Sequence, residues 1–360
     1  MSLRSRLSRY NPARLVRTID QVPDLHEFAK RTKQTQKETD HHLQSIDSRL
    51  AAIESALTAH ATSLGTLAKL EARIDQSMEA YRSDAKYAAR LRALPDKLVA
   101  DRVIARVRAA VDGTTLELDP FPHIVVDNLL PDDVYAELVS SMPDVVFFKR
   151  ENMSRQEIQV PFIFAPAYSQ AVWDFFYEQV IERALLPALV AKFEPALDAF
   201  VAHYWPGLAR WADAGIDMQV TNSRLLLRRP GYEIKPHRDP RWAFFTSLIY
   251  LQKLGAMHEY GTQLYRMKQE REATHNSPFW VGYDECELVK DVPAGRNRVL
   301  TFLNSTGVHA ASVPADAPPD LQRYVYQVQM GPAPDSRQRL TEALRPEARL
   351  AWEGAREHEY

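Results

Sequence analysis

Hydrophobic residues in the N-terminal third of the chain recur at alternating spacings of three and four. They are Leu43, Ile46, Leu50, Ile53, Leu57, Leu64, Leu67, Ile74, Met78 and Tyr81. This spacing is the heptad repeat of a coiled coil. With Leu43 at position a, leucines occupy a and mostly isoleucines occupy d, a choice that favours three or four strands over two. The pattern predicts a homo-oligomer, trimeric or tetrameric, through residues 43–81. A single amphipathic helix lying on the rest of the protein is the alternative.

The segments on either side of the heptads differ from them in composition. Five arginines precede the first acidic residue, Asp20: Arg4, Arg6, Arg9, Arg14 and Arg17. Such a basic arm either makes a peripheral membrane contact or stays a solvated, partly disordered segment. Pro95 is expected to end the coil. We therefore divide the chain into a basic N-terminal arm (1–35), a coiled-coil segment (36–95), a catalytic domain (96–335) and a charged C-terminal tail (336–360).

Beyond Pro95 the pattern is that of a mixed helical and stranded domain. The stretch "FPHIVVDNLLPDDVYAELVSSMP" predicts a strand, a turn at Pro131 and a short helix capped by Asp132 or Asp133. A long helical pattern then covers residues 168–204, with breaks at Pro187 and Pro195.

Six strand-like runs follow in quick succession. They read "QVTNSRLLLRR", "FFTSLIYLQ", "TQLYRM", "RVLTFLN", "GVHAASV" and "RYVYQVQM". Short strands bounded by Pro, Gly, Asn and Asp are typical of a sandwich or jelly roll. We interpret the intervening polar and aromatic stretch "KQEREATHNSPFWVGYDECE" as an insertion or lid.

Composition narrows the class of protein. The 360 residues include 45% hydrophobic ones, enough for a sizeable core, and the formal net charge is −2, so no global charge indicates a nucleic-acid partner. Cys286 is the one cysteine, which excludes an internal disulfide and fits a reducing compartment. The sequence has neither a signal-peptide core nor an uncharged apolar run near 18 residues. We expect a cytoplasmic protein.

Two histidines and one aspartate are the candidate metal ligands. His237 and Asp239 follow a Pro-Gly turn in "RRPGYEIKPHRDPRW", and His309 lies in the later run "NSTGVHAASVP". Two imidazoles and one carboxylate form the facial triad of non-haem Fe(II) sites, which leaves positions open for other ligands. The alternative is a polar turn at the first pair and a hydrogen-bonded core histidine at His309.

Other residues have candidate roles near this set. Arg323 begins the strand after His309, where a guanidinium can hold the far end of a dicarboxylate. The aromatic residues Trp242, Phe244 and Phe245 either wall the substrate or belong to the core. Three further residues that resemble ligands are interpreted as polar loop residues, namely His258, Glu259 and His275.

Four stretches resemble a known family. "RRPGYEIKPHRDPRWAFFTSLIYLQK", "NRVLTFLNSTGVHAASVP", "RYVYQVQM" and the entry "FPHIVVDNLLPDDV" look like the core of the Fe(II)/2-oxoglutarate-dependent dioxygenases, in the prolyl-hydroxylase-like branch. The resemblance covers residues 119–330. It implies iron bound by His237, Asp239 and His309, 2-oxoglutarate bound by Arg323, and O₂ as the second substrate, with ascorbate as an optional reductant. It also implies an α+β fold with a double-stranded β-helix (jelly-roll) core and flanking helices, here preceded by the N-terminal coiled coil.

The chain departs from the family pattern beside the Pro-Gly turn. A tyrosine common there in prolyl hydroxylases is Arg228, and Tyr232 lies on the other side of Gly231. Either Arg228 or Tyr232 contacts the cosubstrate, or Arg228 is a surface strand residue. Relatives that halogenate lack the carboxylate that Asp239 supplies, so the resemblance implies hydroxylation, with release of succinate and CO₂.

The substrate class stays open between a protein side chain, a small metabolite, a glycan and a lipid headgroup. The alternative function is a coiled-coil interaction protein whose jelly roll binds a ligand without turnover.

Overall fold

The structure is a computed structural model. It describes residues 23–82, 84–162, 165–205, 207–252, 259–270, 278–304, 307–345, 348–349 and 352. The chain divides into two compact units, Met1–Ile74 and Asp75–Tyr360. The arginine-rich residues 1–22 of the predicted basic arm lie outside the described residues.

A single long helix, α1, spans Pro23–Arg82. It therefore begins inside the segment predicted as the N-terminal arm. Seven heptad side chains on α1 are each at least 50% exposed: Leu43, Ile46, Leu50, Ile53, Leu57, Leu64 and Leu67. The apolar stripe that the sequence predicts is thus exposed along this helix of the single chain.

Two shorter helices follow α1 in the second unit, α2 at Asp84–Lys97 and α3 at Ala100–Asp112. Pro95, where we expect the heptad pattern to end, lies inside α2, and this helix ends at Lys97. Burial of the preceding Leu94, whose carbonyl accepts a hydrogen bond from the Leu98 amide at 2.7 Å, holds this last turn in place. The buried face of α3 consists of residues four apart, Val103, Val107 and Val111.

Strand β1 (His123–Val126) and helix α4 (Asp132–Ser140) follow as predicted. The predicted cap is wrong: the residue before α4 is Pro131, and no side chain caps the helix. Asp132 and Asp133 lie in the first turn, where carboxylates interact favourably with the positive end of the helix dipole. After a short 3₁₀ turn at Val145–Phe147, the chain enters the first sheet.

The predicted helical stretch consists of four consecutive segments. They are α5 (Ala167–Phe175), a wider π-type segment (Phe176–Leu185), α6 (Leu186–Lys192) and α7 (Glu194–Tyr204). Pro187 and Pro195 lie in the first turns of α6 and α7, where the missing amide hydrogen is tolerated. The predicted break near Pro195 is confirmed, because Phe193 leaves the helical conformation just before it, whereas the helical backbone continues through Leu185 and Leu186 into α6 without a break at Pro187. A 3₁₀ turn, Trp211–Ala214, leads to the main strands.

The remaining strands form two antiparallel sheets. They are β2 (Lys149–Arg150), β3 (Arg155–Gln159), β4 (Met218–Arg228), β5 (Tyr232–Arg238), β6 (Phe245–Leu251), β7 (Thr262–Met267), β8 (Phe279–Trp280), β9 (Cys286–Val292), β10 (Arg298–Leu303), β11 (Val308–Val313) and β12 (Arg323–Pro332). The seven-stranded sheet has the order β1-β10-β6-β12-β4-β3-β2, and the five-stranded sheet has the order β8-β5-β11-β7-β9.

The chain passes repeatedly between the two sheets from β4 to β12. Strands β4, β6, β10 and β12 lie in the larger sheet, and β5, β7, β9 and β11 lie in the smaller one. This alternation of antiparallel strands between two sheets is the jelly roll that the strand pattern predicts. Mixed helices and antiparallel sheets also confirm the predicted α+β class.

The stretch interpreted as an insertion or lid is partly sheet. Strand β8 and the first residues of β9 fall within it, and β9 pairs with β7 from Thr262↔Val292 to Met267↔Cys286. Strand β9 escaped prediction because its burial pattern, with only its first and last residues buried, lacks a clear alternation. Residues 271–277 of the stretch lie outside the described residues.

Alternate residues of the larger sheet face different cores. Leu225 and Leu227 of β4 pack with the helices, whereas Leu226 between them faces the space between the sheets. The segment predicted as a charged tail contributes to the helical core. Its helix α8 (Pro334–Ala343) buries Leu340, and Trp352 is fully buried.

No helix among the described residues is both long enough and apolar enough to cross a membrane.

Candidate metal centre

The two predicted histidine ligands face each other across a strand pair. His309 on β11 is the register partner of His237 on β5, and their ring centroids lie 4.4 Å apart. Both side chains are buried. The smaller sheet thus brings together two imidazoles that are far apart in sequence.

An irregularity in this pairing decides which way His237 points. From His309 to Ala311 strand β11 advances two residues, while β5 moves from His237 to Ile234, an advance of three. The extra residue is a β-bulge beside Pro236, which has no amide hydrogen for the ladder. Strict alternation from Ile234 would place His237 on the opposite face. Because of the bulge, Ile234 and His237 both line the same cavity.

The predicted carboxylate completes the cluster. Asp239 lies one residue beyond the end of β5, with its Oδ1 3.4 Å from Nε2 of His237 and its Oδ2 3.9 Å from Nε2 of His309. One ligand atom from each of the three residues lies within 4.8 Å of the other two. The chain turns directly after β5, so His237 near the end of the strand and Asp239 just beyond it face the same point. The spacing of two residues predicts this arrangement.

Hydrogen bonds fix the orientation of two of these groups. Nδ1 of His237 donates to the carbonyl oxygen of Lys235 at 2.8 Å, which leaves Nε2 as the unprotonated nitrogen of the neutral ring. Oδ2 of Asp239 accepts from Oγ1 of Thr246 at 2.8 Å and from Nε2 of Gln329 at 3.3 Å. Such supporting contacts hold a ligand in position and tune its basicity.

The protonation states suit a cation. Burial by itself would raise the pKa of Asp239, but the nearby imidazoles of His309 and His237 and the bond from Thr246 outweigh it and hold the pKa well below its usual range. Burial, reinforced by His237, lowers the pKa of His309 to about 4. At neutral pH the cluster thus offers one carboxylate and neutral imidazole, the forms that bind metal.

The three ligands form part of the wall of a cavity between the sheets, of about 140 Å³. Arg323 also lines this cavity and is 3% exposed. Its Nε and Nη2 donate to the carbonyl oxygens of Tyr260 at 2.6 Å and Gly261 at 2.8 Å, and its guanidinium lies 5.7 Å from the ring centroid of Tyr250. The predicted anion-binding arginine is therefore held rigidly in the same cavity as the metal-ligand set.

Arg228 and Tyr232 also line the cavity. The guanidinium of Arg228 lies 4.8 Å from the ring centroid of Tyr232, and its Nη1 donates to the carbonyl oxygen of Gln156 at 2.8 Å. Arg228 is 2% exposed, so its alternative interpretation as a surface strand residue is wrong. It pairs in register with Arg323 on β12, which places both guanidinium-bearing residues at the same level of the sheet.

The aromatic residues after Asp239 belong to the core. Trp242, Phe244 and Phe245 are part of the helical cluster, and none of them lines the cavity described above. Phe245, for example, packs edge-on against Phe193 with ring centroids 5.1 Å apart. Glu259 is exposed, in agreement with its interpretation as a loop residue, and His258 and His275 lie outside the described residues.

Sequence reasoning missed several residues that contact the metal-ligand set. Thr246 and Gln329 were not singled out although both bond Asp239. Trp280 on β8 lies beside His237, with ring centroids 5.1 Å apart. For Gln329 a signal was available, because Gln327 and Gln329 occupy alternate positions of β12 and alternate residues of a strand share a face.

Comparison with known proteins gives structural likenesses only. No model of a known protein family matches the chain, and no curated protein matches it. Among solved structures, a Pseudomonas putida prolyl 4-hydroxylase is 14% identical, with a TM-score of 0.34, 62% of this chain covered and 98% of that one. A Phytophthora capsici prolyl 4-hydroxylase is 17% identical, with a TM-score of 0.36 and coverages of 65% and 66%. A Burkholderia pseudomallei oxidoreductase of the 2OG-Fe(II) oxygenase family is 8% identical, with a TM-score of 0.35 and coverages of 65% and 90%.

The solved proteins that this chain resembles thus include prolyl 4-hydroxylases and another 2OG-Fe(II) oxygenase.

The donor set itself fits a divalent iron ion. Two imidazoles and one carboxylate are the ligands typical of non-haem Fe(II) sites that leave positions open for other ligands. His237, Asp239 and His309 would hold the ion, and Thr246 and Gln329 would support the carboxylate.

Proposed function

We propose that this protein is an Fe(II)- and 2-oxoglutarate-dependent oxygenase that hydroxylates a substrate with release of succinate and CO₂. One observation carries the proposal: the buried Arg323 lines the same cavity as the buried set of candidate metal ligands, His237, Asp239 and His309. A metal site alone requires no arginine nearby. A cosubstrate that binds the metal at one end and carries a carboxylate at the other requires both.

The residues of the cavity have distinct roles in this proposal. His237, Asp239 and His309 hold the ion and leave its other positions for exogenous ligands. Arg323 binds the distal carboxylate of 2-oxoglutarate through two parallel hydrogen bonds. Its backbone contacts to Tyr260 and Gly261 hold the guanidinium in place before the cosubstrate arrives.

When bound, iron and 2-oxoglutarate supply the oxidative chemistry: 2-oxoglutarate and O₂ become succinate and CO₂, and one oxygen atom enters a substrate C–H bond. The protein orients the reactants and excludes water. Asp239 supplies the carboxylate ligand that halogenating relatives lack, which favours hydroxylation over halogenation.

The test is an anaerobic titration of the full chain with Fe(II) and 2-oxoglutarate. A weak charge-transfer band in the visible region is expected, followed by succinate release when air is admitted. His237→Ala should abolish the band, while His203→Ala, which changes a histidine of α7, should leave it unchanged. A folded wild-type protein that binds neither Fe(II) nor 2-oxoglutarate would contradict the proposal and favour the alternative, a coiled-coil interaction protein with a non-catalytic jelly roll.

We further propose that the chain self-associates through the heptads of residues 43–81. The exposed leucines and isoleucines of α1 support this, since a helix with an exposed apolar stripe is more stable when a second helix covers it. Leucine at a and isoleucine at d favour a trimer or tetramer.

Charges beside the stripe favour parallel helices in register. With Leu43 at position a, Arg49 is at g and Glu54 is at e of the next heptad, positions that meet between parallel helices. An antiparallel pair would bring e residues together, and Asp47 and Glu54 at e are both acidic. Like charges would then repel each other. A second copy of this chain, aligned in parallel, is therefore the partner that the charges fit.

A further inference from the structure

The larger sheet presents a ladder of polar side chains to the cavity. On β4 these are Asn222, Arg224 and Arg228, and on β12 they are Arg323, Gln327 and Gln329. The antiparallel register pairs them as three rungs: Asn222 with Gln329, Arg224 with Gln327, and Arg228 with Arg323. One pair of apolar residues, Leu226 and Val325, lies between the second and third rungs.

The first rung touches the metal-ligand set. Nε2 of Gln329 lies 3.3 Å from Oδ2 of Asp239, and Nδ2 of Asn222 lies 3.4 Å from Oε1 of Gln329. Residues two apart on a strand are separated by about 7 Å. The backbone of Arg224 is thus one step, about 7 Å, from the residues at Asp239, whereas the backbones of Arg228 and Arg323 are three such steps, about 20 Å, away along the strands.

The middle rung carries positive charge that one carboxylate only partly balances. Nη1 of Arg224 lies 3.2 Å from Oε1 of Glu157, and its Nη2 donates to Oε1 of Gln327 at 2.8 Å. The other oxygen of Glu157 lies 3.7 Å from Nη2 of Arg228, so Glu157 is shared between two guanidinium groups. Within the described part of the chain, the buried Nε of Arg224 has no hydrogen-bond partner.

The cosubstrate does not account for this second guanidinium. In the proposed function Arg323 binds the distal carboxylate of 2-oxoglutarate, and Arg323 is at the far rung. The guanidinium of Arg224 lies in the cavity with its charge only partly balanced, its Nε is available as a hydrogen-bond donor, and side-chain amides lie beside it. Such a group is suited to bind an oxyanion.

We infer that Arg224, with the amides of Asn222 and Gln327, forms a substrate subsite for the carboxylate of a small organic acid. The subsite lies one rung, about 7 Å along the strands, from the residues that contact Asp239, so the acid would place a carbon several bonds from its carboxylate beside the metal. The inference rests on the proposed function for the reaction, but the anion site itself does not depend on turnover.

Inorganic sulfate, an oxyanion without redox chemistry, tests the site directly. The full chain is loaded with Zn(II) and titrated with sulfate, and the thermal midpoint is followed at constant ionic strength. We expect a saturable rise that persists in Arg323→Gln and shifts to about tenfold higher sulfate in Arg224→Gln, the loss typical of a charge-assisted hydrogen bond. Arg224→Lys, which keeps the charge, should retain most of the effect. Arg102→Gln, on an exposed ion pair with Asp133, is the matched control and should behave as wild type.

A midpoint that does not respond saturably to sulfate, or an equal response in wild type and Arg224→Gln, would overturn the subsite. Failure of wild type to bind 2-oxoglutarate would instead overturn the proposed function, and the sulfate titration would still decide the subsite.

Turnover provides a second test of the subsite. N-acetylated amino acids and their C-terminal amides are compared as stimulators of succinate release from wild type. Stimulation by the acids that exceeds that by the amides by about tenfold or more is expected if the carboxylate is bound by Arg224. Equal stimulation by acids and amides, or stimulation by a neutral peptide alone, would show that the substrate is not recognised through an acidic group.

Discussion

His309 lies directly opposite His237 across the β11–β5 pairing, with their ring centroids 4.4 Å apart. The bulge beside Pro236 turns His237 toward the cavity, and the strand register places His309 beside it. A slip of one residue in either strand would point one imidazole to the other face and leave no ligand pair. The candidate metal centre thus depends on the pairing of two strands as much as on the identity of its three residues.

Thr246 is expected to matter for metal affinity although it binds no metal. Thr246→Val removes the hydroxyl that donates to Oδ2 of Asp239 and keeps the side-chain shape. Loss of such a supporting contact should weaken metal binding about tenfold or more, measured by competition with a chromophoric chelator. Thr301→Val removes a buried hydroxyl that bonds Ser247 instead, and it should leave the affinity unchanged. Equal losses in the two variants would contradict a specific role for Thr246.

Arg323 is expected to determine affinity for 2-oxoglutarate. Arg323→Gln removes the buried charge, and the dissociation constant of 2-oxoglutarate for the Mn(II)-loaded protein should rise by about 10- to 100-fold. Arg298→Gln, which breaks an ion pair with Asp127, is the matched control. Retained affinity in Arg323→Gln would assign the carboxylate to Arg228 instead.

The metal-free protein should lose stability as the pH falls below about 6.5. Burial lowers the pKa of His309 in the folded protein to about 4 from its ordinary value of 6.5, so the unfolded chain takes up a proton that the folded chain does not. The contribution of the neutral His309 to the free energy of unfolding is therefore fully present above pH 6.5. It is lost as the pH falls toward 4, by about 1.4 kcal/mol per pH unit at most. Urea unfolding of chelator-treated protein at several pH values measures the slope. His309→Gln should have a flatter profile over this window, and parallel profiles would refute the assignment.

Leu50 is expected to be essential for self-association. Leu50→Asp places a charge at position a, and sedimentation equilibrium of the full chain should then give the monomer mass, because a carboxylate cannot be buried between helices without a large penalty. Ala51→Asp at position b, which faces outward, should leave the assembly intact. A wild-type protein that sediments as a monomer at micromolar concentration would rule out the proposal.

The parallel register has its own test. Arg49→Glu and Glu54→Arg should each weaken the assembly, because like charges then meet at the g and e positions. The double variant should restore it. If the double variant instead assembles more weakly than either single variant, another arrangement of the helices would be favoured.

Trp352 should contribute strongly to the stability of the second unit. It is fully buried, and its carbonyl oxygen accepts a hydrogen bond from Nε1 of Trp242 at 2.7 Å. Trp352→Ala should lower the free energy of unfolding by about 3–5 kcal/mol through the cavity that it leaves. Trp280→Ala is the control because Trp280 is 54% exposed, and its loss should cost much less. Equal effects of the two substitutions would mean that the C-terminal segment does not pack as described.

The sequence by itself determined the features that depend on local periodicity. The heptad pattern of α1, the strands from β4 to β12 with clear apolar runs, the helix start near Pro195 and the candidate set His237, Asp239 and His309 were predictable, because side-chain spacing follows directly from helix and strand geometry. Strand β9 was not predictable, because strands are recognised from the alternation of apolar and polar residues and β9 lacks a clear alternation.

Only the tertiary structure decided the features that depend on contacts between distant segments. The β-bulge that aims His237, the support of Asp239 by Thr246 and Gln329, the burial of Arg228 and the packing of Trp352 all arise from strand register and from elements far apart in the chain. No local pattern encodes such contacts, since each depends on which partner strand or helix a residue meets when the chain folds.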